Sequence, residues 1–431
     1  MAPTLIFSSS PPAVSMGGLI PTFKFPNSAR MIRSITPVSV FQIPSPSLVL
    51  PPPFEGGNNM FSNLAPNKAT LKKTPSSPCL MLPPTFDDGS DDMCYNMYNL
   101  AQNKVLRFNN KKLMPEEDTK IVGSSHGWLS LFNERNCDLT LINPVTCSHV
   151  KLPPSNSDTA RYTKVIHSCD AEQEECQAMM IDGGRKLAFC YPGRSPTEWT
   201  PLGALMRRPP RNDIPRSYED LVYSRRHNLF FCVTATYNGD DFEAWDLSSY
   251  PPRLRWENRD DLMDHYGSWL SQTAWLFMEK TGMNCAHHTY LVFAEETDQL
   301  FFVTRHVLLQ WDQDNDDIYP YKTILFDVHK LDWEFGGDGG RLSHLDGGSL
   351  DGLAMFVGAN HSFAVLPSDA NGLKPNSIYF TDEKTLHSAK YLGGHDIGIF
   401  DYKNKTISYY FPSNLEKNSI WFTPLQGSLI Q

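Results

Sequence analysis

The chain has 431 residues, of which 40% are apolar and 12% aromatic, so it is long enough to build a large packed core. Its formal net charge is −10, which makes it a poor electrostatic partner for nucleic acid or an anionic membrane. No stretch approaches the roughly 18 apolar residues that cross a bilayer, so we expect no membrane association. Charged residues make up only 20%, and frequent Pro and Gly favour a fold with many turns over a helical bundle.

The first 54 residues differ in composition from the rest of the chain. They contain the basic residues Lys24, Arg30 and Arg33, no acid before Glu55, and many Ser and Pro residues. This composition is typical of organelle transit peptides, although the prolines limit any amphipathic helix. We expect residues 1–54 to be disordered. One interpretation is an address to the mitochondrion or plastid, and the alternative is a plain tail on a protein of the cytosol or nucleus.

Residues 55–77 are dominated by Gly, Asn, Pro, Ser and Lys, and they predict a linker with little to bury. From residue 78 to residue 431, short apolar runs alternate with turn signals, a pattern typical of strands joined by tight turns. The clearest runs are Trp128–Phe132, Leu139–Ile142, Leu187–Tyr191, Leu229–Thr236, Tyr290–Ala294, Leu300–Val303, Ile324–Val328, Leu331–Phe335, Ile378–Thr381, Gly398–Tyr402 and Thr406–Phe411.

The number of these runs predicts an all-β domain over residues 78–431. A β-propeller of roughly six or seven blades suits so many short strands better than a single sandwich does. Ser268–Glu279 is the clearest helical candidate. The nine cysteines are odd in number and show no C-x-x-C spacing, so we predict reduced and mostly buried thiols rather than a disulfide framework.

Several segments carry a resemblance to a known family. Gly123–Leu129 reads G-S-S-H-G-W-L, Leu141–Thr146 reads L-I-N-P-V-T, and a leucine-proline close follows at Leu152. Further segments in the same order are Leu80–Pro84, Tyr98–Val105, Phe326–Trp333, Leu350–Phe363, Asn376–Asp382 and Asp396–Asp401. Together they resemble the plant F-box-associated family known as domain of unknown function 295, the KIB-type β-propeller, across roughly residues 78–425.

The resemblance implies a propeller in which the hallmark residues are structural. Those residues are Gly123, Ser124, Ser125, His126, Gly127, Trp128, Asn143 and Pro144. Cys79 stands where the family usually has tryptophan, so the first strand is expected to pack differently. Many members carry an F-box before the propeller, whereas residues 1–77 show no leucines at helical spacing, since Pro interrupts each apolar run.

The function that the resemblance implies is a non-enzymatic protein-interaction scaffold. We expect an unidentified protein partner, no cofactor and a monomer. The alternative is a substrate-recognition subunit of an SCF-type ubiquitin ligase. A second alternative is a hydrolase, because Gly123-x-Ser125-x-Gly127 matches the nucleophile-elbow pattern. That mechanism needs a helix after Ser125, whereas Trp128–Phe132 predicts a strand.

No catalytic, cofactor-binding or metal-binding residue is assigned from the sequence. Asp312, Asp314 and Asp316 have calcium-loop spacing but lack the required Gly and Glu, so a solvated acidic turn is predicted. Gly336–Gly352 lacks the ending of a phosphate loop and predicts a long surface loop. His287 and His288, with Cys285 nearby, lack further ligands for zinc.

Two small basic clusters, Met206–Arg211 and Arg225–Arg226, are predicted to be solvated loops. The alternative is that they mark a place where an acidic partner docks.

Overall fold

The structure is a computed structural model that describes residues 78–86, 93–110, 119–156, 163–202, 217–234, 242–258, 284–309, 322–332, 341–345, 347–368, 371–382, 396–409 and 419–423. In this part of the chain, strands and their turns dominate, and the one helical element is a 3-10 turn at Pro192–Arg194. No helix of the described part is long and apolar enough to cross a membrane. The predicted helix Ser268–Glu279 and the segments 1–77, 206–211 and 312–316 lie outside the described residues.

Blade 1 ties the two ends of the described chain together. It consists of β1 (Cys79–Phe86), β2 (Met93–Asn99), β3 (Lys104–Asn110) and the last strand, β25 (Ile420–Phe422). The order is β25-β1-β2-β3, and all pairs are antiparallel. Because β25 pairs with β1, main-chain hydrogen bonds join the last described strand to the first. Cys79 is fully buried in this blade, opposite Phe422.

Blades 2 to 4 are antiparallel meanders of four consecutive strands. Blade 2 contains β4 (Thr119–Ser125), β5 (Trp128–Asn133), β6 (Leu139–Ile142) and β7 (His149–Leu152). Blade 3 contains β8 (Lys164–His167), β9 (Ala178–Ile181), β10 (Leu187–Cys190) and β11 (Thr200–Pro201). Blade 4 contains β12 (Tyr218–Ser224), β13 (Leu229–Thr234), β14 (Phe242–Asp246) and β15 (Arg253–Asn258).

Blades 5 and 6 share one nine-stranded sheet. Blade 5 contains β16 (Asn284–Ala294), β17 (Gln299–Leu309), β18 (Lys322–Asp332) and β19 (Arg341–His344). Blade 6 contains β20 (Ala354–Val357), β21 (Phe363–Val365), β22 (Ser377–Phe380), β23 (Gly398–Asp401) and β24 (Thr406–Tyr409). β20 is inserted between β21 and β22, and the parallel pair Phe293–Phe363 joins β21 to β16.

Two local predictions in blade 5 are wrong. Ile324–Val328 and the first residues of Leu331–Phe335 form one continuous strand, β18, rather than two. Within the predicted loop Gly336–Gly352, four residues form β19 and pair with the end of β18. The local residues there are polar and glycine-rich, so the strand forms because β18 offers a free edge, which sequence patterning does not report.

Six hydrophobic clusters lie between neighbouring blades and close the ring. One buried pair from each cluster, in order around the ring, is Met97 with Leu129, Trp128 with Met180, Phe189 with Phe230, Phe231 with Phe293, Phe326 with Phe380, and Phe356 with Trp421. The last pair joins blade 6 back to blade 1. The described residues therefore form an all-β propeller of six blades, which confirms the predicted fold.

The inner strands of blades 2 to 5 place their ends on one side of the ring. β4 contacts β8 at two places, where Gly123 meets Val165 and Ser125 meets His167. The two residues are 42 positions apart in sequence in both pairs, so these strands run parallel. Contacts of β12 with β16, and of the turns that follow them, likewise join residues 70 or 71 apart at three places. We define the hairpin face as the side that carries the turns 126–127, 168–176, 225–228 and 295–298.

Candidate functional site

The hallmark motif forms the hairpin between β4 and β5. Ser125 pairs directly with Trp128, which leaves a two-residue turn, and both turn residues have positive φ angles, 45° at His126 and 80° at Gly127. This is the turn that the right-handed twist of a hairpin favours, and glycine takes its second position without steric cost. The strand that follows confirms the sequence prediction and contradicts the helix that a nucleophile elbow requires.

Three residues of the motif fasten blade 2 to its neighbours. A Cβ atom on Gly123 would lie 2.0 Å from the carbonyl oxygen of Val165, so only glycine permits this approach of β4 to β8. The hydroxyl of Ser124 donates to the carbonyl of Trp421 at 2.5 Å, and that of Ser125 accepts the N–H of His167 at 3.0 Å. The second bond anchors β4 to β8 through the Ser125 side chain.

Asn143 organises the second hallmark turn, between β6 and β7. Its side-chain oxygen accepts the main-chain N–H groups of Val145 and Thr146, each at 3.0 Å, and its own carbonyl accepts the N–H of Cys147 at 2.9 Å. Pro144 fits because its fixed φ angle suits the turn and its missing N–H is not needed there. Asn143 and Pro144 therefore act as turn formers.

Three histidines and a tyrosine meet at the centre of the hairpin face. We call His126, His167, His361 and Tyr223 the axial cluster. The ring of His126 lies 5.8 Å from that of His167, 5.7 Å from that of His361 and 6.3 Å from that of Tyr223, measured between centroids. These residues come from blades 2, 3, 4 and 6 and are up to 235 residues apart in sequence (361 − 126), so no local sequence pattern groups them.

His361 connects blade 6 to blades 2 and 4 across the centre of the ring. Its N–H donates to the carbonyl of Ser124 in blade 2 at 2.9 Å, and its Nε2 atom lies 3.0 Å from the main-chain N–H nitrogen of Tyr223 in blade 4. The Asn360 side chain donates to the His361 carbonyl at 2.9 Å and holds the turn in place. Blades 2 and 4 are not neighbours of blade 6, so these bonds fill the centre of the ring with the protein's own chain.

The axial histidines are held neutral. Burial is the main reason that the pKa of His126 lies well below its usual range, and the neighbouring His361, His167 and Arg225 lower it further. Burial likewise lowers the pKa of His167 to about 4, and burial together with Lys164 lowers that of His361 to about 3. The Nε2 atoms of His126 and His167 are buried, and no hydrogen-bond partner for them lies among the described residues. Neutral rings are the forms that this water-poor centre tolerates.

Charged side chains surround the axial cluster. Glu295 accepts the main-chain N–H groups of Arg225 and Arg226 at 2.5 and 3.2 Å, and Arg226 pairs with Asp298 at 3.1 Å. The Arg225 side chain is exposed, and its Nη2 atom lies 3.4 Å from Nδ1 of His126. The turns of blades 4 and 5 are thus bound together, and they leave the guanidinium of Arg225 at the surface.

Two buried networks lie away from the hairpin face. Arg305 has no exposed surface, and it donates to Asp396 at 2.9 Å, to Thr323 at 2.7 Å and to the carbonyl of Thr381 at 2.7 Å. In the second network Asp327 lies 2.9 Å from His306 and 3.8 Å from His344. Burial would raise the pKa of Asp327, but the hydrogen bonds from these histidines outweigh it and hold the pKa below its usual range. Both networks connect strands rather than open to solvent.

The structure brings together no metal-binding group of three or more His, Cys, Asp or Glu side chains within the described residues. His288 lies 3.1 Å from the carboxylate of Glu219, in the joint between blades 4 and 5, and His287 is exposed. The acidic turn at 312–316 and the basic cluster at 206–211 lie outside the described residues.

One pair of residues was missed in the sequence analysis. Cys169 and Cys176 flank the turn between β8 and β9, and each thiol influences the other through a hydrogen bond. Their signal in the sequence is two cysteines separated by six mostly acidic residues at the end of a short apolar run. A search for C-x-x-C spacing does not detect it.

A protein-family model matches most of the described part of the chain. The family model described as the KIB1-4 beta-propeller matches residues 97–401 of the chain. This range includes the hallmark hairpin, the axial cluster and the buried networks. No curated protein matches the sequence.

Solved structures resemble the chain only loosely. The β-propeller domain of Cps50 (Swd1) from Myceliophteria thermophila is 10% identical, with 63% of this chain and 86% of that chain covered and a TM-score of 0.30. A putative TolB from Agrobacterium tumefaciens is 9% identical, with 61% and 80% covered and a TM-score of 0.29. Sqt1 from Saccharomyces cerevisiae is 10% identical, with 56% and 63% covered and a TM-score of 0.27. At these scores the likeness adds nothing to the strand topology described above.

Proposed function

Because the chain belongs to the KIB1-4 beta-propeller family, we propose that it is a non-enzymatic scaffold that binds another protein through its hairpin face. The observation that supports the proposal is the filled centre of that face. His361 bridges blades 2 and 4 there, and Ser125, the serine of the nucleophile-elbow pattern, accepts a main-chain hydrogen bond. What this face offers to a partner is therefore its ring of turns on a rigid support.

The chemistry of the turns suits a polar interface with an acidic segment at its centre. Arg225 is exposed beside the axial cluster, and its turn is anchored through two main-chain bonds to Glu295, so the cation is presented at a fixed place. A preorganised turn loses little conformational entropy on binding. We expect the partner to place a carboxylate opposite Arg225.

The test is a comparison of two charge-reversed forms of the full chain in plant cells. Arg225→Glu with Arg226→Glu changes the hairpin face, while Arg135→Glu with Lys186→Glu makes the same change in charge on turns β5–β6 and β9–β10, at the other ends of these meanders. Proximity labelling or co-purification should show partners that the first variant loses and the second keeps. Equal capture by both variants and the unaltered protein would contradict the proposal. Thermal unfolding checks that both variants are folded.

The location that we propose is a mitochondrion or plastid, and the acid-free composition of residues 1–54 supports it. A fluorescent protein fused to residues 1–77 and to the full chain should enter one of these organelles in both forms. A signal in cytosol and nucleus from both fusions would instead favour the ubiquitin-ligase alternative. Co-purification with a Skp-type adaptor would then decide that alternative.

A further inference from the structure

Two cysteines lie opposite each other at the end of the β8–β9 hairpin. In this hairpin His167 pairs with Ala178, and the ladder continues with a bond from the N–H of Ser168 to the carbonyl of Gln177 at 2.9 Å. The next opposed position is occupied by Cys169 and Cys176. The N–H of Gln177 bonds to the Ser168 hydroxyl at 3.0 Å, so the main-chain ladder ends at this pair, and the two cysteines begin the turn. Opposed residues of an antiparallel ladder have Cα atoms about 4.5–5.5 Å apart. Disulfides accept Cα separations of about 4.4–6.8 Å.

The contacts of the two thiols agree with this register. The sulfur of Cys176 lies 3.6 Å from the carbonyl oxygen of Cys169, and Ser168 Oγ lies 3.8 Å from the sulfur of Cys169. The same carbonyl of Cys169 lies 2.6 Å from Nδ1 of His167, which belongs to the axial cluster. The thiols therefore lie in one turn beside the centre of the hairpin face.

The two thiols differ in reactivity. Cys169 is half-buried and reachable from solvent, and its hydrogen bond with Cys176 lowers its pKa to about 7, so a large fraction is thiolate at neutral pH. Cys176 is fully buried, and its pKa is raised, first by that hydrogen bond and then by burial. Burial also raises the pKa of Cys79 to about 12. An accessible thiolate next to a protonated thiol is the arrangement of a reactive cysteine and its resolving partner.

We infer that Cys169 and Cys176 form a reversible thiol–disulfide site that reacts with hydroperoxides. The Cys169 thiolate attacks the outer oxygen of the peroxide, the O–O bond breaks, and the alkoxide or hydroxide leaves and takes up a proton. The sulfur is now a sulfenic acid. Cys176 loses its proton and attacks that sulfur, the S–S bond forms, and hydroxide leaves as water. Two electrons pass from the two sulfurs to the peroxide, and a dithiol reverses the reaction.

The test uses the full chain, purified with reduced thiols. It is exposed to stoichiometric hydrogen peroxide at neutral pH, the remaining thiols are blocked with N-ethylmaleimide, and the peptides are analysed by mass spectrometry. We expect a linked peptide that joins Cys169 to Cys176 and disappears after reduction with dithiothreitol. Before oxidation, Cys169 should react with iodoacetamide at pH 7 about tenfold faster than Cys137, which is also half-buried but lies in a different turn.

Two variants separate pairing from general oxidation. In Cys176→Ser, Cys169 should accumulate as a sulfenic acid that dimedone traps, whereas Cys137→Ser should leave the linked peptide unchanged. Two results would overturn the inference. One is oxidation of Cys169 to the sulfinic acid in the unaltered protein without any linked peptide. The other is reaction of Cys169 with iodoacetamide no faster than that of Cys137. Neither readout depends on the proposed binding partner.

Discussion

Neutral groups hold blade 2 against blade 3, whereas an ion pair holds blade 5 against blade 6. At the first joint, Gly123 brings the main chain of β4 against Val165, and the Ser125 hydroxyl accepts the N–H of His167. At the second, a fully buried Arg305 binds Asp396 across blades. The first joint depends on close contact between neutral groups, and the second on a desolvated ion pair.

The two joints differ in how easily they can be recognised from the sequence. On the blade 2 side, the residues that make the neutral joint belong to one run of seven consecutive residues, Gly123–Leu129, which is recognisable as a motif in the sequence. The charged joint combines residues 91 positions apart, and nothing near Arg305 in the sequence indicates its partner. The two joints also predict different costs of mutation, since an uncompensated buried charge costs more than a displaced methyl group.

The largest effect is expected at the charged joint. Arg305→Met should lower the free energy of unfolding by about 3–5 kcal/mol, because Asp396 would be left buried without its cation. Urea unfolding measures the change. Lys151→Met is the control, since Lys151 pairs with Asp138 at 3.2 Å and both side chains are partly exposed, and its loss should cost less than about 1 kcal/mol. Equal losses would mean that the buried network does not hold the joint.

The second-largest effect is expected from acid, which should weaken the neutral joint between blades 2 and 3. His167 is fully buried, and its pKa of about 4 lies below the value of about 6.5 in the unfolded chain. Keeping His167 neutral therefore contributes on the order of 3 kcal/mol to the free energy of unfolding. This contribution is fully present above about pH 6.5 and is lost as the pH falls towards about 4. Urea unfolding of His167→Asn at pH 7.5 and 4.5 should show a shallower dependence on pH than the unaltered protein. The exposed His149→Asn is the control for replacing a histidine outside this joint.

Gly123→Ala tests the close contact itself. The added Cβ would lie 2.0 Å from the oxygen of Val165, so β4 must move away from β8, at a cost of about 1–3 kcal/mol. Gly347→Ala is the matched control, because a Cβ there meets nothing within 4 Å. Thermal and urea unfolding of the two variants should therefore diverge. Similar stabilities would show that Gly123 is not constrained by its neighbour strand.

The smallest effect is expected for Ser125→Ala. It leaves the buried N–H of His167 without its acceptor, which costs about 1–2 kcal/mol in the free energy of unfolding. Thr297→Ala is a suitable control, since its hydroxyl lies 3.3 Å from Gln299 in a partly exposed turn. A loss at Ser125 no greater than at Thr297 would contradict the assigned role.

Much of the fold could be predicted because strand periodicity and turn residues are local signals. Leu139–Ile142 is predicted with the bounds that β6 has, and Asn143-Pro144 marks its turn. The site could be predicted only in part. The axial cluster gathers His126, His167 and His361 from three blades, and their meeting depends on the ring rather than on any local pattern.

The most direct test of the scaffold role compares Ser125→Ala with Arg225→Glu/Arg226→Glu for both unfolding free energy and partner capture. Opposite outcomes are expected for the two variants. At a temperature where both variants are folded, Ser125→Ala should keep its partners, while the arginine variant, which also loses the Arg226–Asp298 pair, should lose them. Two results together would contradict a scaffold that binds through its hairpin face. In one, a folded Ser125→Ala protein loses its partners or an enzymatic activity. In the other, the arginine variant retains its partners.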